Sequence, residues 1–304
     1  MTDHSIGIAA HAKLNLFLRV LAKEDTGFHS VETLLCLLDL KDDLVVTPDP
    51  APGEVALEVI GADLGPPEEN LAFRAAKLVL AATGNRIGVG IRLTKRIPVA
   101  AGLGGGSSDA AAVLLAVNAL AENAVPQHEL LQFAARLGID VPFFLTRFPL
   151  ALGWGRGERL LALPPLEACP GLLLIPPIAI PTPDAYAWVD QLRGSAGRRG
   201  SVALTLDALQ TWGDLARMAG NDFESAVFGR HPSIREAFEA LAGTHPRTCR
   251  LSGSGATLFG LYRSARDRDE ARLTLGQRRG TLTPVWTMAT PPPGPHELPE
   301  PGRP

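Results

Sequence analysis

The sequence predicts an α+β protein of two domains, and three observations predict it. The chain has 304 residues, more than one hydrophobic core ordinarily supports, the limit lying near ~250 to 300. Strand-like alternation and helix-like periodicity are interleaved in each half instead of being confined to one. Between the halves, GWGRGERLLALPPLEACP (153–170) is rich in turn residues, and the pattern restarts after it. The expected division is a domain over 1–160, a domain over 161–290 and a proline-rich tail over 291–304.

From Ile8 to Val20 the chain alternates. Leu14, Leu16, Leu18 and Val20 point one way, and Lys13, Asn15, Phe17 and Arg19 the other, so a strand places Lys13 and Asn15 on one face. DDLVVTP (42–48) and EVALEVI (54–60) flank PDPAPG (48–53), which reads as a hairpin or meander. NLAFRAAKLVLAATG (70–84) has helical spacing and ends at Gly84, a fitting C-cap. IGVGIRLTKRIPVAAG (87–102) reads as a strand to about Ile97, where Pro98 ends it. DAAAVLLAVNALA (109–121) is a strong helix, dense in Ala, Leu and Val. HELLQFAARLG (128–138) is a second helix closed by Gly138, and IDVPFFL follows, placing Asp140 at a helix-to-turn junction. The second half begins with GLLLIPP (171–177), VALTLDALQT (202–211) and NDFESAVF (221–228). It continues with a helix over 233–243, the strand pair CRLSGSGATLFGLY (249–262) and a helix over 265–277. PPPGPHELPEPGRP (291–304) holds too much proline to pack and is expected as a disordered tail.

Hydrophobic residues make up 46% of the chain and charged residues 20%, enough apolar material for large cores. A net charge of −3 provides no general attraction for nucleic acid or anionic membranes. Cys36, Cys169 and Cys249 lack the spacing of a zinc site or a disulfide framework and read as core fillers in a reducing cytoplasm. The first twenty residues have no basic run before an apolar one. GLLLIPPIAIP is broken by prolines well short of the ~20 residues that cross a membrane. The expected location is the cytoplasm, with no membrane and no nucleic-acid partner.

The informative stretch is PVAAGLGGGSSD (98–109). Gly102, Gly104, Gly105 and Gly106 bare the backbone, and a long helix starts immediately after. Glycine lets N–H groups approach a ligand and permits left-handed torsions. A helix N-terminus adds orphan donors and partial positive charge, and together they make an anion site whose usual occupant is a phosphate chain. GxxxxGK[ST] is absent, GxGxxG from Gly102 fails because residue 107 is serine, and GxSxG fails at both Ser107 and Ser254. The loop therefore belongs to another phosphate-binding design.

PVAAGLGGGSS resembles the second motif of the GHMP kinases, the superfamily of galactokinase, homoserine kinase, mevalonate kinase and phosphomevalonate kinase. AKLNLFLRV (12–20), GFHSVETLLCLLDL (27–40) and LGIDVPFFL (137–145) are similar to stretches of the 4-diphosphocytidyl-2-C-methyl-D-erythritol kinase family. RLSGSGATLFGL (250–261) resembles the superfamily's third motif. The resemblance implies the two-domain GHMP fold, an N-terminal α/β domain carrying the ATP-phosphate loop and a ferredoxin-like C-terminal α+β domain. It implies ATP-dependent phosphorylation of the 2-hydroxyl of a cytidine diphosphate-linked methylerythritol, a step of isoprenoid precursor synthesis. It implies Lys13 and Asp140 as the catalytic pair, with Pro98, Val99, Ala100, Ala101, Gly102, Leu103, Gly104, Gly105, Gly106, Ser107 and Ser108 around the phosphates. Asn15, Phe28, His29 and Tyr186 are implied on the acceptor side. Phe28 stands where the family has tyrosine, so a hydroxyl is lost there. Ser254 and Gly255 are expected against the substrate's phosphates or beside the nucleotide site, and Asn221 to Glu224 match a family segment with no role assigned. Mg²⁺ is expected to accompany ATP, with one hydroxyl such as Ser108, or none, as its protein ligand. Another acceptor, of the mevalonate or homoserine type, and a nucleotide-binding module without catalysis stay open on the sequence.

Overall fold

The computed structural model describes residues 4–25, 27–49, 51–194, 205–276 and 279–298. Two long strands, β1 (Ile6–Lys23) and β2 (His29–Asp49), pair antiparallel and form the spine of the first sheet. β3 (Val55–Ile60) leads through α1 (Leu71–Ala82) to β4 (Gly88–Thr94), and β4 inserts between β2 and β3. β3 therefore runs parallel to β4 and does not pair with β2, so the expected hairpin at 48–53 is instead the start of a crossover. The reason is local: a helix of 12 residues between β3 and β4 favours a parallel return, which a tight turn cannot make.

Helices α1, α2 (Gly105–Leu120), α3 (Gln127–Leu137) and α4 (Val141–Thr146) pack with one face of this sheet into a single core that includes Ile8, Leu44, Val79, Ile91, Val113 and Phe143. Asn70 caps α1 by accepting from the Ala72 amide. Gly84 follows its last turn at φ +77°, as the sequence led one to expect. β5 (Leu150–Gly155) pairs with β2, and β6 (Arg159–Ala162) pairs with β5. Much of the turn-rich 153–170 stretch is thus sheet. The next strand, β7 (Pro170–Ile175), already belongs to the second sheet.

The second sheet comprises β7, β8 (Thr248–Leu251), β9 (Leu258–Leu261) and β10 (Thr281–Trp286) in the order β10-β7-β9-β8. Helices α5 (Thr182–Arg193), α6 (Trp212–Met218), α7 (Phe223–Arg230) and α8 (Pro232–Ala242) separate β7 from β8, and α9 (Ala265–Leu275) separates β9 from β10. Chain order and strand order together make the split βαββαβ, or ferredoxin-like, arrangement.

The register of β1 and β2 shifts between His11 and Lys13 and between Asn15 and Phe17. Strict alternation therefore breaks at Leu16, and Leu16, Phe17 and Leu18 are all buried. A β-bulge re-aims the chain in this way. The middle of β1 is covered on both sides, because Leu14, Leu16 and Phe17 pack with Leu173, Phe259 and Val285 of the second sheet.

The proline-rich end also departs from expectation. β11 (His296–Glu297) adds to the start of β1, and the Pro292 carbonyl accepts from Arg147. Proline removes donors but leaves carbonyls, and the two non-proline residues supply the ladder. The stretch 299–304 lies outside the described residues, as do Val202, Ala203 and Leu204 of the VALTLDALQT segment.

Candidate active site

The phosphate loop folds as the glycine pattern demands. Gly102 and Gly104 have φ +75° and +74°, a region that side chains with a Cβ rarely enter. A Cβ on Gly102 would lie 2.3 Å from the Ser252 carbonyl oxygen, and one on Gly104 2.7 Å from the Phe144 ring. Gly104 takes the N-cap position of α2 with no side chain capping it, and the first helical bond runs from the Ser108 amide to the Gly104 carbonyl at 2.9 Å. The N–H groups of Gly105, Gly106 and Ser107 precede that bond and have no acceptor within the helix. They border a cavity of about 330 Å³ lined by Asn70, Lys95, Pro98 to Gly102, Gly104 to Ser107 and Asp109. Ser108 is placed differently: it is buried and lines a small void with Ile8, His11 and Phe144.

Strand β1 carries Lys13 to the far side of the same loop. The Lys13 amide donates to the Leu103 carbonyl at 3.0 Å. Its ammonium donates to Asn15 Oδ1 at 2.5 Å and to the Gly102 carbonyl at 2.9 Å, and stands 3.8 Å from Asp140 Oδ2. Asn15 is oriented in turn by Thr33, whose hydroxyl accepts from Nδ2 at 2.8 Å and donates to the Phe17 carbonyl at 2.8 Å. Lys13 is 3% exposed. Burial pushes its ammonium below the usual lysine range, and Asp140 acts in the opposite sense. Asp140 occupies the N-cap position of α4 without capping it, and its side chain is 36% exposed. The catalytic pair implied by resemblance is thus brought together, one member buried and the other open to a substrate.

The second domain closes the site through the LSGSGA loop. Ser252 Oγ donates to the Gly102 carbonyl at 3.0 Å, so one carbonyl serves both Lys13 and Ser252. Ser254 shares a 3.0 Å hydrogen bond with Thr182 Oγ1 at the start of α5. The NDFE segment, which had no role from sequence, braces this loop. Asn221 Nδ2 donates to the carbonyls of Leu251 and Gly253, both at 2.8 Å, and Glu224 accepts from the Leu251 amide. Asp222 accepts from the Val20 amide at 2.8 Å and from Arg193, tying β1 to the second domain.

Of the residues expected on the acceptor side, Asn15 serves Lys13, and the other three separate into two groups. His29 and Tyr186 stack, with centroids 4.9 Å apart and rings 16° from parallel, and Tyr186 meets Phe223 edge-on. Burial, with Asp140 second, pushes the Tyr186 phenol up to about 12. Phe28 is 49% exposed. Arg156 lies 4.2 Å over its ring while pairing with Glu24. The tyrosyl hydroxyl is missing, but a cation backs one ring face.

A further cluster escaped sequence reasoning. Lys95 bridges Asp42 and Asp109, and all three side chains are at most 5% exposed. Asp42 also accepts from the amides of Arg96 and Ile97, at 2.5 and 2.8 Å, fixing the approach to the loop. Asp109 Oδ1 is buried with no partner, and burial together with Asp42 raises its carboxyl to about 7 against the pull of Lys95. The only signal was the lysine in TKRIP, directly before the loop. Among the described residues no group of three or more His, Cys, Asp or Glu could hold a metal ion.

A glycine-rich loop at a helix start, an ammonium–carboxylate pair and two α+β domains together define a small-molecule phosphotransferase. The GHMP kinases N terminal domain matches residues 70–147 and the GHMP kinases C terminal domain matches 204–280. The chain is 40% identical over 286 residues to the 4-diphosphocytidyl-2-C-methyl-D-erythritol kinase of Pelotomaculum thermopropionicum, covering 92% of this chain and 96% of that protein. It is 40% identical over 273 residues to the enzyme of the same name from Solibacter usitatus, covering 86% and 83%. A crystal structure of 4-(cytidine 5'-diphospho)-2C-methyl-D-erythritol kinase superposes with a TM-score of 0.77 at 35% identity, over 92% of this chain and 98% of that one. The chain belongs to the 4-diphosphocytidyl-2-C-methyl-D-erythritol kinase family of the GHMP kinases. No described helix is long and apolar enough to cross a membrane.

Proposed function

We propose that the chain transfers the γ-phosphoryl group of ATP to the 2-hydroxyl of 4-diphosphocytidyl-2-C-methyl-D-erythritol, in the methylerythritol phosphate route to isoprenoid precursors. The observation that carries this reading is the Lys13–Asp140 pair, 3.8 Å apart, anchored to the glycine-rich loop through the Gly102 carbonyl. ATP's phosphates rest against the N–H groups opening α2, with Pro98 to Ser107 around them. Ser108, buried under the loop, supports its backbone and leaves contact with the nucleotide to its neighbours.

Asp140 accepts the proton of the attacking hydroxyl as the new O–P bond forms and the bond to the departing ADP breaks. Lys13 offsets the charge gathering on the attacking oxygen and the transferring group. Asn15 holds the ammonium in place. The cytidine moiety is held by His29, Tyr186 and Phe28, whose ring stacks on the base without a hydroxyl.

Mg²⁺, bound together with the triphosphate, would neutralise the charge that develops there. Asp109 Oδ1, the partnerless carboxylate oxygen beside the cavity, and Ser107 are the protein oxygens that fit it. ADP release should be measured with the cytidine diphosphate-linked methylerythritol, mevalonate and homoserine as acceptors. Turnover confined to the first supports the proposal, and preference for either of the others overturns it.

A further inference from the structure

His29 is held by two contacts that fix its plane and its proton. Its ring stacks on Tyr186, and its Nε2 lies 2.7 Å from Asp190 Oδ1. Tyr186 and Asp190 are four residues apart on α5 and so share one helix face. A carboxylate can only accept, so the hydrogen between them sits on Nε2. Asp190 is ionised: burial would raise its carboxyl, but the hydrogen bonds from Lys23 and His29 prevail and hold it below the usual carboxylate range. Lys23 Nζ takes the other oxygen at 2.9 Å and offsets the carboxylate's charge. In the neutral ring the remaining nitrogen, Nδ1, keeps a lone pair, and no described group hydrogen-bonds to it.

We propose that Asp190 is a positioning residue that fixes His29 as the Nε2–H tautomer, so that Nδ1 accepts from the exocyclic amine of cytosine and rejects uracil. Cytosine presents an amine donor at the edge where uracil presents a carbonyl acceptor. A fixed acceptor satisfies the first and meets the second lone pair to lone pair. An unsatisfied buried polar contact is worth about 1–3 kcal/mol, or roughly 5- to 150-fold. The inference rests on the proposed function, which supplies the cytidine moiety as the ligand beside His29.

The test compares kcat/KM for the cytidine and uridine diphosphate-linked methylerythritols in the wild type, Asp190→Ala and Asp190→Asn, together with ¹⁵N spectra of histidine-labelled wild-type protein. Lys23 can only donate, so in Asp190→Asn it retains the amide oxygen and turns the NH₂ toward His29. Nε2 then becomes the acceptor and Nδ1 the donor. The expected results are a ¹⁵N signal for the proton on Nε2 and a cytidine-to-uridine ratio that falls at least about 10-fold in Asp190→Asn, with a smaller fall in Asp190→Ala. A protonated Nδ1 in the wild type overturns the inference whether or not either variant folds, and so does an unchanged ratio in Asp190→Asn. A wild type inactive on the cytidine compound overturns the proposed function, and the ¹⁵N spectrum still decides the tautomer.

Discussion

Gly102→Ala is a sharp test of how the phosphate loop is built. The substitution has two costs. Gly102 has φ +75°, where a left-handed L-residue is strained by roughly 1–2 kcal/mol. The added Cβ would also sit 2.3 Å from the Ser252 carbonyl oxygen and 3.0 Å from that of Gly255. Both are backbone atoms of the loop that Asn221 clamps, so relief requires the two loops to part. Overpacking of this kind costs about 1–3 kcal/mol. The sum, about 2–5 kcal/mol, is a large share of a typical stability of ~5–15 kcal/mol and should lower Tm by on the order of 10 °C. Parting the loops also moves the carbonyl that holds Lys13 and Ser252, so kcat falls as well.

Gly106→Ala is the control within the same loop. Gly106 is helical, its φ is ordinary, and a Cβ there meets nothing within 4 Å. Stability should be unchanged or raised by about 0.4–1 kcal/mol. The open space beside it is where phosphate is proposed to lie. Loss of one charge-assisted hydrogen bond, about 1.5–3 kcal/mol, should therefore lower kcat/KM for ATP by roughly 10- to 150-fold. Differential scanning calorimetry and initial rates at varied ATP separate the two effects. Gly102→Ala melting with the wild type would refute the packing argument. Gly106→Ala handling ATP as the wild type does would refute the cradle.

Asp140→Asn should lower kcat by about 10²- to 10⁴-fold with little change in Tm, because no described group hydrogen-bonds to the Asp140 side chain; single-turnover kinetics would read it. Lys13→Met should lower kcat more than it raises KM for the acceptor, and an effect on KM alone would move Lys13 to ground-state binding. Asp109 is predicted to shape the pH dependence of stability. Its carboxyl is raised from 3.8 to about 7, so between these values the folded state holds a proton that the unfolded state has lost, and stability falls as pH rises. Asp109→Asn should flatten that slope and raise Tm near pH 8 relative to wild type, and an unaltered slope in thermal melts from pH 5 to 8 would exclude the assignment.

What the sequence disclosed follows from what kind of signal each feature leaves. Glycine density against a helix start is a backbone signal, and the backbone behaves as the residues require: Gly102 and Gly104 take left-handed torsions and α2 begins uncapped at Gly105. Lys13 and Asp140 lie far apart in the chain, and only family resemblance, not periodicity, could pair them. The bulge at Leu16 left no trace because both sides of β1 are buried there, so no polar residue marks the slip. Asp42 and Lys95, in LKDD and TKRI, carry no motif, and only the fold reveals that each satisfies the other in a dry site. Asp190 carries no motif, since its meaning depends on His29 arriving from β2.

The spacing of the Lys13–Asp140 pair accounts for the rest of the proposed site's construction. At 3.8 Å, the Lys13–Asp140 contact is longer than a hydrogen bond, so the ammonium lies beside the carboxylate without engaging it. An oxygen of the acceptor can then bond to Asp140 while staying near Lys13. That arrangement requires the ammonium to be anchored by something other than its carboxylate partner. Asn15 Oδ1 and the Gly102 carbonyl provide this with neutral acceptors, which leave the positive charge unmatched and available to the transition state. The Gly102 carbonyl is fixed by Ser252 from the second domain. The position of the charge therefore depends on both domains being docked, and the phosphate loop is as much a bracket for Lys13 as a cradle for ATP.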